Sequence, residues 1–161
     1  MHGQARAPTW SYLESTASVG AKTITVNETV DWQVGETIVI ASTRFDMLDS
    51  EVRVIASVTA SYSVVNSTQN NSTVNVTTTV ITFTDPLLHQ HYASVDSYGI
   101  SGETVEIRAE VGLLTRNFVF RGNPITSPSN ETGAHILVHS INNDDSYAKI
   151  SYIEFVDVGQ Q

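Results

Sequence analysis

Apolar and polar residues alternate with a period of two in short runs, and turn residues separate the runs, which predicts strands rather than helices. The expected strands are Thr23–Val26, 37–41, 51–58, Thr73–Phe83, 104–110, 117–121, 134–139 and 148–156. In 51–58 the alternation puts Val52, Val54, Ala56 and Val58 on one face and Arg53 and Ser57 on the other. In Thr73–Phe83 it groups Val74, Val76 and Val80 against Asn75, Thr77 and Thr79. In 104–110 it sets Val105, Ile107 and Ala109 inward and Glu106, Arg108 and Glu110 outward. No stretch carries a sustained helical face, and the β-branched content disfavours one. Pro86, Pro124 and Pro128 fall between strands, where proline is tolerated. The segment 123–133 reads as a loop. The connection 83–102, with His89, His91, Tyr92 and Tyr98, is long for an internal loop and so marks either a functional segment or the cover of a core edge.

An all-β chain follows, in one of two architectures. In the last third, strands of four to six residues recur between turns, as if each coil laid a rung on the previous one. That favours a parallel β-helix; a β-sandwich is the alternative. At 161 residues the chain is long enough for one β domain with a sizeable core. Seventeen acidic against eight basic residues give a net charge of -9. Such a field repels phosphate backbones and anionic lipid, so nucleic acid is not an expected partner. An acidic glycan would need a local cluster of arginines. The absence of cysteine excludes disulfides, thiolate metal sites and a cysteine nucleophile. No apolar run approaches membrane-spanning length, and no signal core follows Met1-His2-Gly3. An internal piece of a longer protein is the expectation.

A resemblance sharpens this. His2-Gly3-Gln4, Trp10 and the run from Val30-Asp31-Trp32 through Gly35-Glu36 to Ile40 are followed by Ser42-Thr43, Asp46 and Glu51-Val52-Arg53-Val54-Ile55. Pro86-Leu87, His91-Tyr92 and Arg108-Ala109-Glu110-Val111-Gly112-Leu113-Leu114-Thr115-Arg116-Asn117 continue the match. Gly133, His135, Ile136, Ile150, Glu154-Phe155 and Gly159-Gln160 complete it. Together they resemble the glycine-rich domain and first β-helix coils of the cell-migration-inducing hyaluronidases, transmembrane protein 2 and the fibrocystin-like proteins. The resemblance implies a right-handed, pectin-lyase-like parallel β-helix outside the cell, as a fragment of a longer solenoid. On it, 1–103 is the glycine-rich part, with an insertion at 62–79, and 104–161 forms the coils. Glu36 stands where the family pattern has aspartate, and 66–79 has no counterpart in it. Some members degrade hyaluronan; the resemblance assigns no catalytic residue here.

Several groups of residues suggest chemistry. Glu106, Arg108 and Glu110 form an outward ladder with Arg116 and Arg121 on later rungs. The simpler reading is cross-strand ion pairs. The functional reading is a glycan site in which the three arginines grip an acidic sugar and Glu106 or Glu110 donates a proton. Hydrolysis needs two suitably spaced carboxylates on one face. Glu106 and Glu110 are too far apart on a strand, so Asp85 or Glu154 would have to supply the second. Six Asn-X-Ser/Thr acceptors occur, at Asn27, Asn66, Asn70, Asn71, Asn75 and Asn130. They are candidates for N-glycosylation in a secreted chain. Adjacent Asn70 and Asn71 would crowd if both carried sugars. His135 and His139 would lie about 13 Å apart on a strand, and no carboxylate is near His89 or His91 in sequence, so the histidines read as structural or exposed. Asp144-Asp145, and Asp46 with Asp49, supply only some of the six or more oxygens that Ca²⁺ needs; no metal or cofactor is expected, with Ca²⁺ as the weaker alternative. Trp32 reads as core; Trp10, Tyr12 and Phe45 could stack on sugars.

The resulting expectation is a non-catalytic extracellular or cell-surface module that binds an extracellular polysaccharide or an adhesive protein. The alternatives are part of a hyaluronidase-like glycosidase, or a structural cap of a longer solenoid.

Overall fold

The computed structural model describes residues 1–66, 73–98, 102–139 and 147–160, with 63–66 and 73–76 described through their backbone alone. In chain order the strands are β1 (Trp10–Tyr12), β2 (Thr23–Val26), β3 (Thr37–Ile40), β4 (Glu51–Asn66), β5 (Thr73–Phe83), β6 (Ala93–Tyr98), β7 (Glu103–Arg108), β8 (Glu110–Leu113), β9 (Phe118–Arg121) and β10 (Ile153–Val156). A 3-10 turn spans Met47–Asp49, and a one-turn helix α1 spans Ser127–Asn130. Among the described residues, no helix is long and apolar enough to cross a membrane. The chain forms two compact units, one of Ala7–Leu114 and one of Met1–Arg6 with Thr115–Gln161.

The larger unit is built on a six-stranded sheet in the order β1-β8-β3-β4-β5-β2. Every pairing in it is antiparallel. The right-handed parallel β-helix is therefore not the fold of this chain, and the sheet is consistent with the β-sandwich alternative. Parallel neighbours need a crossover of a dozen or more residues. Asn66 of β4 pairs with Thr73 of β5, and so short a sequence separation is compatible only with an antiparallel ladder. A parallel ladder occurs between β9 and β10 alone among the described strands, over four residue pairs. The sheet curls so that its outer strands meet at a single bridge, Leu13 to Val26. Glu14 N donates to Thr25 O at 2.8 Å, and Asn27 N to Tyr12 O at 3.0 Å. Its inner face encloses Leu13, Ile24, Val26, Trp32, Ile38, Ile40, Ile55, Ile81, Phe83, Val111 and Leu113.

Two strands present the face opposite to the one expected. In β4 the pairing shifts between Ile55 and Ser57, so Ala56 is an extra, bulged residue. A bulge reverses the phase of alternation. Ahead of it Glu51 and Ile55 point inward, while Val52 and Val54 are 54% and 41% exposed. In β5 the inward set is Thr79, Ile81 and Phe83. Thr79 is tolerated there because its hydroxyl donates to Glu28 O at 2.8 Å and accepts from Val30 N at 3.3 Å. The expected inward face of 104–110 holds only from Ala109 onward. Val105 and Ile107 belong to the separate β6–β7 hairpin and are exposed.

The smaller unit carries the β9–β10 pair, with Phe120 edge-on to Phe155 at 5.8 Å. The residues on either side of β10, Tyr152 and Asp157, are both left-handed, at φ 55° and 51°. Glycines press on their carbonyls. A Cβ on Gly3 would sit 2.0 Å from Tyr152 O, and one on Gly122 or Gly133 would sit 2.0 Å from Asp157 O. The segment 134–139, expected as a strand, contributes only the Ala134–Val158 bridge.

Core position and surface position separate cleanly in this register. Ile81→Ala should cost about 2–5 kcal/mol in urea unfolding. Val52→Ala should stay within about 0.5 kcal/mol, whereas an inward Val52 would cost several times more. Gly133→Ala should destabilise the smaller unit by about 1–3 kcal/mol, read as lost amide protection at Gly133, Ala134 and Gly159 in hydrogen exchange.

Candidate functional site

Glu51 opens β4 opposite Ile40, and the phase of the strand turns its carboxylate inward. A buried carboxylate needs donors, and four groups supply them. Leu88 N donates to Oε2 at 2.9 Å, and His89 N to Oε1 at 2.7 Å. His91 Nε2 lies 3.0 Å from Oε1. The guanidinium of Arg53, on the same strand face two residues along, closes on Oε2 and also donates to Pro86 O at 2.9 Å. His91 is fully buried, and its Nδ1 faces Ala41 O at 2.8 Å. Both ring nitrogens thus meet protein oxygens. The His91 backbone exchanges two 2.9 Å hydrogen bonds with Ala17. Burial pushes the Glu51 pKa up, but the Leu88 and His89 amides, His91 and the Arg53 charge outweigh it and hold the carboxyl below its ordinary 4.5.

Outside this cluster Asp49 contacts Arg44 Nε at 3.2 Å and His89 Nδ1 at 3.5 Å. Asp46 Oδ1 accepts from Leu48 N at 2.9 Å and caps the 3-10 turn. Tyr92 N donates to Thr43 Oγ1 at 2.8 Å. Phe45, Met47, Leu48 and Leu88 stand exposed around it.

A general acid or base must reach the proton it moves. The Glu51 and His91 side chains are 3% and 0% exposed, so the cluster ties β3, β4 and the 84–91 segment together rather than meeting a substrate. Spacing along the chain does not point to Glu51, because three of its four partners lie 37 to 40 residues away. A signal was nevertheless present: Glu51 and Arg53, Pro86-Leu87 and His91-Tyr92 are all among the residues that carry the family resemblance.

The candidate glycan residues fall in both units. In the larger unit Arg108 Nη1 lies 3.1 Å from Glu14, and its Nε lies 3.4 Å from Glu106. Glu110 is exposed opposite Tyr12. In the smaller unit Arg116 Nη1 donates to Thr115 O at 2.9 Å, and Arg121 is exposed at the end of β9. Asn27 Oδ1 accepts from the buried Ser11 hydroxyl at 3.1 Å, and Asn130 is exposed at the end of α1. Asn66 and Asn75 are placed on the β4–β5 hairpin by their backbone. Asn70, Asn71, Asp144 and Asp145 lie outside the described residues. Trp32 is core, with Nε1 donating to Pro8 O at 2.8 Å. Trp10 is half-exposed and edge-on to Tyr12. His135 and His139 are exposed. Among the described residues, no three or more His, Cys, Asp or Glu converge in a way that could hold a metal.

Fold and cluster together define an antiparallel all-β module organised around a buried, multiply hydrogen-bonded carboxylate. By sequence it is homologous to fibrocystin-L and to G8 domain-containing proteins, which supports the fibrocystin-like part of the resemblance. Fibrocystin-L of Mus musculus is 38% identical over 125 residues, 76% of this chain and 2% of that protein. Fibrocystin-L of Homo sapiens is 28% identical over 166 residues, the whole of this chain and 4% of that protein. A G8 domain-containing protein of Dictyostelium discoideum is 30% identical over 141 residues, 86% of this chain and 10% of that protein. The chain thus spans only a small part of the length of these relatives. No family model matches it.

The lowered pKa of Glu51 fixes the direction of a pH effect. Its stabilisation is fully present above the unfolded value, near 4.5, and is lost as pH falls through the lower folded value. Glu51→Gln should lower stability at pH 7 by about 3–5 kcal/mol, because the Arg53 guanidinium loses its buried counter-charge. Urea unfolding between pH 7 and pH 3 should show the wild-type decline below pH 4.5 reduced in the variant.

Proposed function

We propose that this chain is a non-catalytic extracellular or cell-surface module of a longer protein, and that it acts by presenting a binding surface, with glycans as the first ligand class. The supporting observation is the way the module divides its groups. The acid–base residues are sealed against one another, while the β4–β5 hairpin runs on past its last core pair, Val58 with Ile81. From Thr59 to Tyr62 the first strand of this arm is exposed on both faces. This stretch buries no side chain, yet it offers Tyr62 and the hydroxyls of Thr59 and Ser61 to a ligand. The Asn66 and Asn75 acceptors on the same arm fit an extracellular setting.

The resemblance to hyaluronidases and transmembrane protein 2 makes hyaluronan the first glycan to try. The net charge of -9 opposes broad polyanion binding. Arg108, already engaged by Glu14 and Glu106, is poorly placed to overcome it. Neutral glycans are therefore favoured.

Ala60 and Thr79 pair directly, so 61–78 can be replaced by an Asn-Gly turn. On a glycan array the shortened chain should lose about tenfold or more in binding while keeping its cooperative unfolding. The intact chain should leave hyaluronan uncut. Cleavage abolished by Glu106→Gln would establish the glycosidase reading, and a folded chain that binds nothing would leave a structural cap.

A further inference from the structure

The β4–β5 hairpin outgrows the sheet that carries it. β3 pairs with β4 only as far as Val54, and the turn at Gly35 and Glu36 adds two hydrogen bonds to Ile55. β2 pairs with β5 only from Thr79 to Thr82. Among the described residues, β4 over 57–66 and β5 over 73–78 therefore pair with each other alone, in a register that runs unbroken from Ser57 to Asn66. A two-stranded ribbon is marginal by itself, and an open strand edge is a template for another strand. Proteins commonly blunt such edges with charge, proline or a bulge. Here the bulge at Ala56 precedes the free stretch. From 54 to 84 the chain has no charged residue, no proline and no glycine, although 16% of all its residues are charged. The valines, threonines and Tyr62 of the arm instead favour further sheet.

We propose that the free edge of β4 pairs with the same edge of a second copy of this chain, antiparallel across a two-fold axis, to form a continuous ribbon in the order β5-β4-β4-β5. Charge selects this occupant. A net charge of -9 makes two copies repel, and the arm holds the longest uncharged run in the chain, so it is where they approach at least cost. An antiparallel edge is also complementary to itself, since outward N–H and C=O groups of one strand meet those of the other, and two-fold closure is the commonest symmetry of homo-oligomers. The β4 edge is favoured over that of β5 because its free stretch is longer, 57–66 against 73–78. The β5 stretch also contains the Asn75 acceptor, where a sugar would hinder approach. Edge pairing uses main-chain groups and leaves both faces of the arm open, so it does not rest on glycan binding. A single strand of each copy meets the other, and such a narrow interface belongs to the weak, concentration-dependent class.

The test is sedimentation velocity of the full chain over a concentration series, with amide hydrogen exchange on the same samples. A monomer–dimer equilibrium is expected, with protection that grows with concentration at alternate amides of 57–65. Ser61 is exposed, so Ser61→Lys leaves the fold intact, as cooperative unfolding will show, and places a charge on the edge. It should raise the dimer dissociation constant by about tenfold or more. The same substitution brings the net charge of -9 one unit closer to zero, so an association governed by overall repulsion would strengthen instead. Glu103→Gln makes an equal change in charge away from the arm and should leave the dimer as it is. A chain that stays monomeric up to NMR concentrations, a dimer indifferent to Ser61→Lys, association that continues past the dimer, or protection that grows in 73–78 or in β6 and β7 instead would overturn the proposal.

Discussion

The larger unit depends on one carboxylate. Removing Glu51 from water is unfavourable by several kcal/mol unless its lone pairs are filled, and the filling comes from separate stretches of chain. Arg53 belongs to the same strand, Leu88 and His89 offer backbone amides, and His91 offers its ring. His91 in turn reaches the Ala41 carbonyl at the end of β3 and the Ala17 backbone. The irregular 84–91 segment is thereby held in place by a charge as well as by backbone hydrogen bonds to Ala17, Gly20 and Ala21. That matters because the segment closes an end of the curled sheet, where Leu87 is buried.

The same interaction explains a face that hydrophobicity alone would assign wrongly. Glu51 and Arg53 are turned inward so that their charges meet, and Val52 and Val54 are consequently turned out. The bulge at Ala56 then restores an inward position for later residues of β4. Two exposed valines are a small penalty beside a buried carboxylate with four donors. The larger energy sets the register.

Local patterning was a good guide to where strands lie and a poor one to how they pair. Thr23–Val26 and Thr73–Phe83 are strands at the expected bounds, and the Val34-Gly35 turn has Gly35 at φ 86°. Trp32 packs in the core as expected. Pairing direction is a long-range property that a period of two does not carry, so the β-helix suggested by recurring short strands gave way to an antiparallel sheet. β1 is only three residues long, and β6 lies inside the 83–102 stretch that reads as a connection, although Ala93 and Val95 alternate there with Ser94 and Asp96. The buried cluster was legible only as separate pieces of a family resemblance. No spacing rule joins Glu51 to His91 across 40 residues.

The two units spend energy in different places. In the larger unit a carboxylate is buried and saturated, so its energy goes into holding the fold and none of its lone pairs is left for a ligand. In the smaller unit the cost lies in the backbone: Tyr152 and Asp157 flank β10 in the left-handed region, which L residues adopt at a cost of order 1–3 kcal/mol, and Gly3, Gly122 and Gly133 close on their carbonyls. A side chain at any of those glycines would collide with the turn it packs on, so close backbone approach rather than a buried charge sets the geometry there.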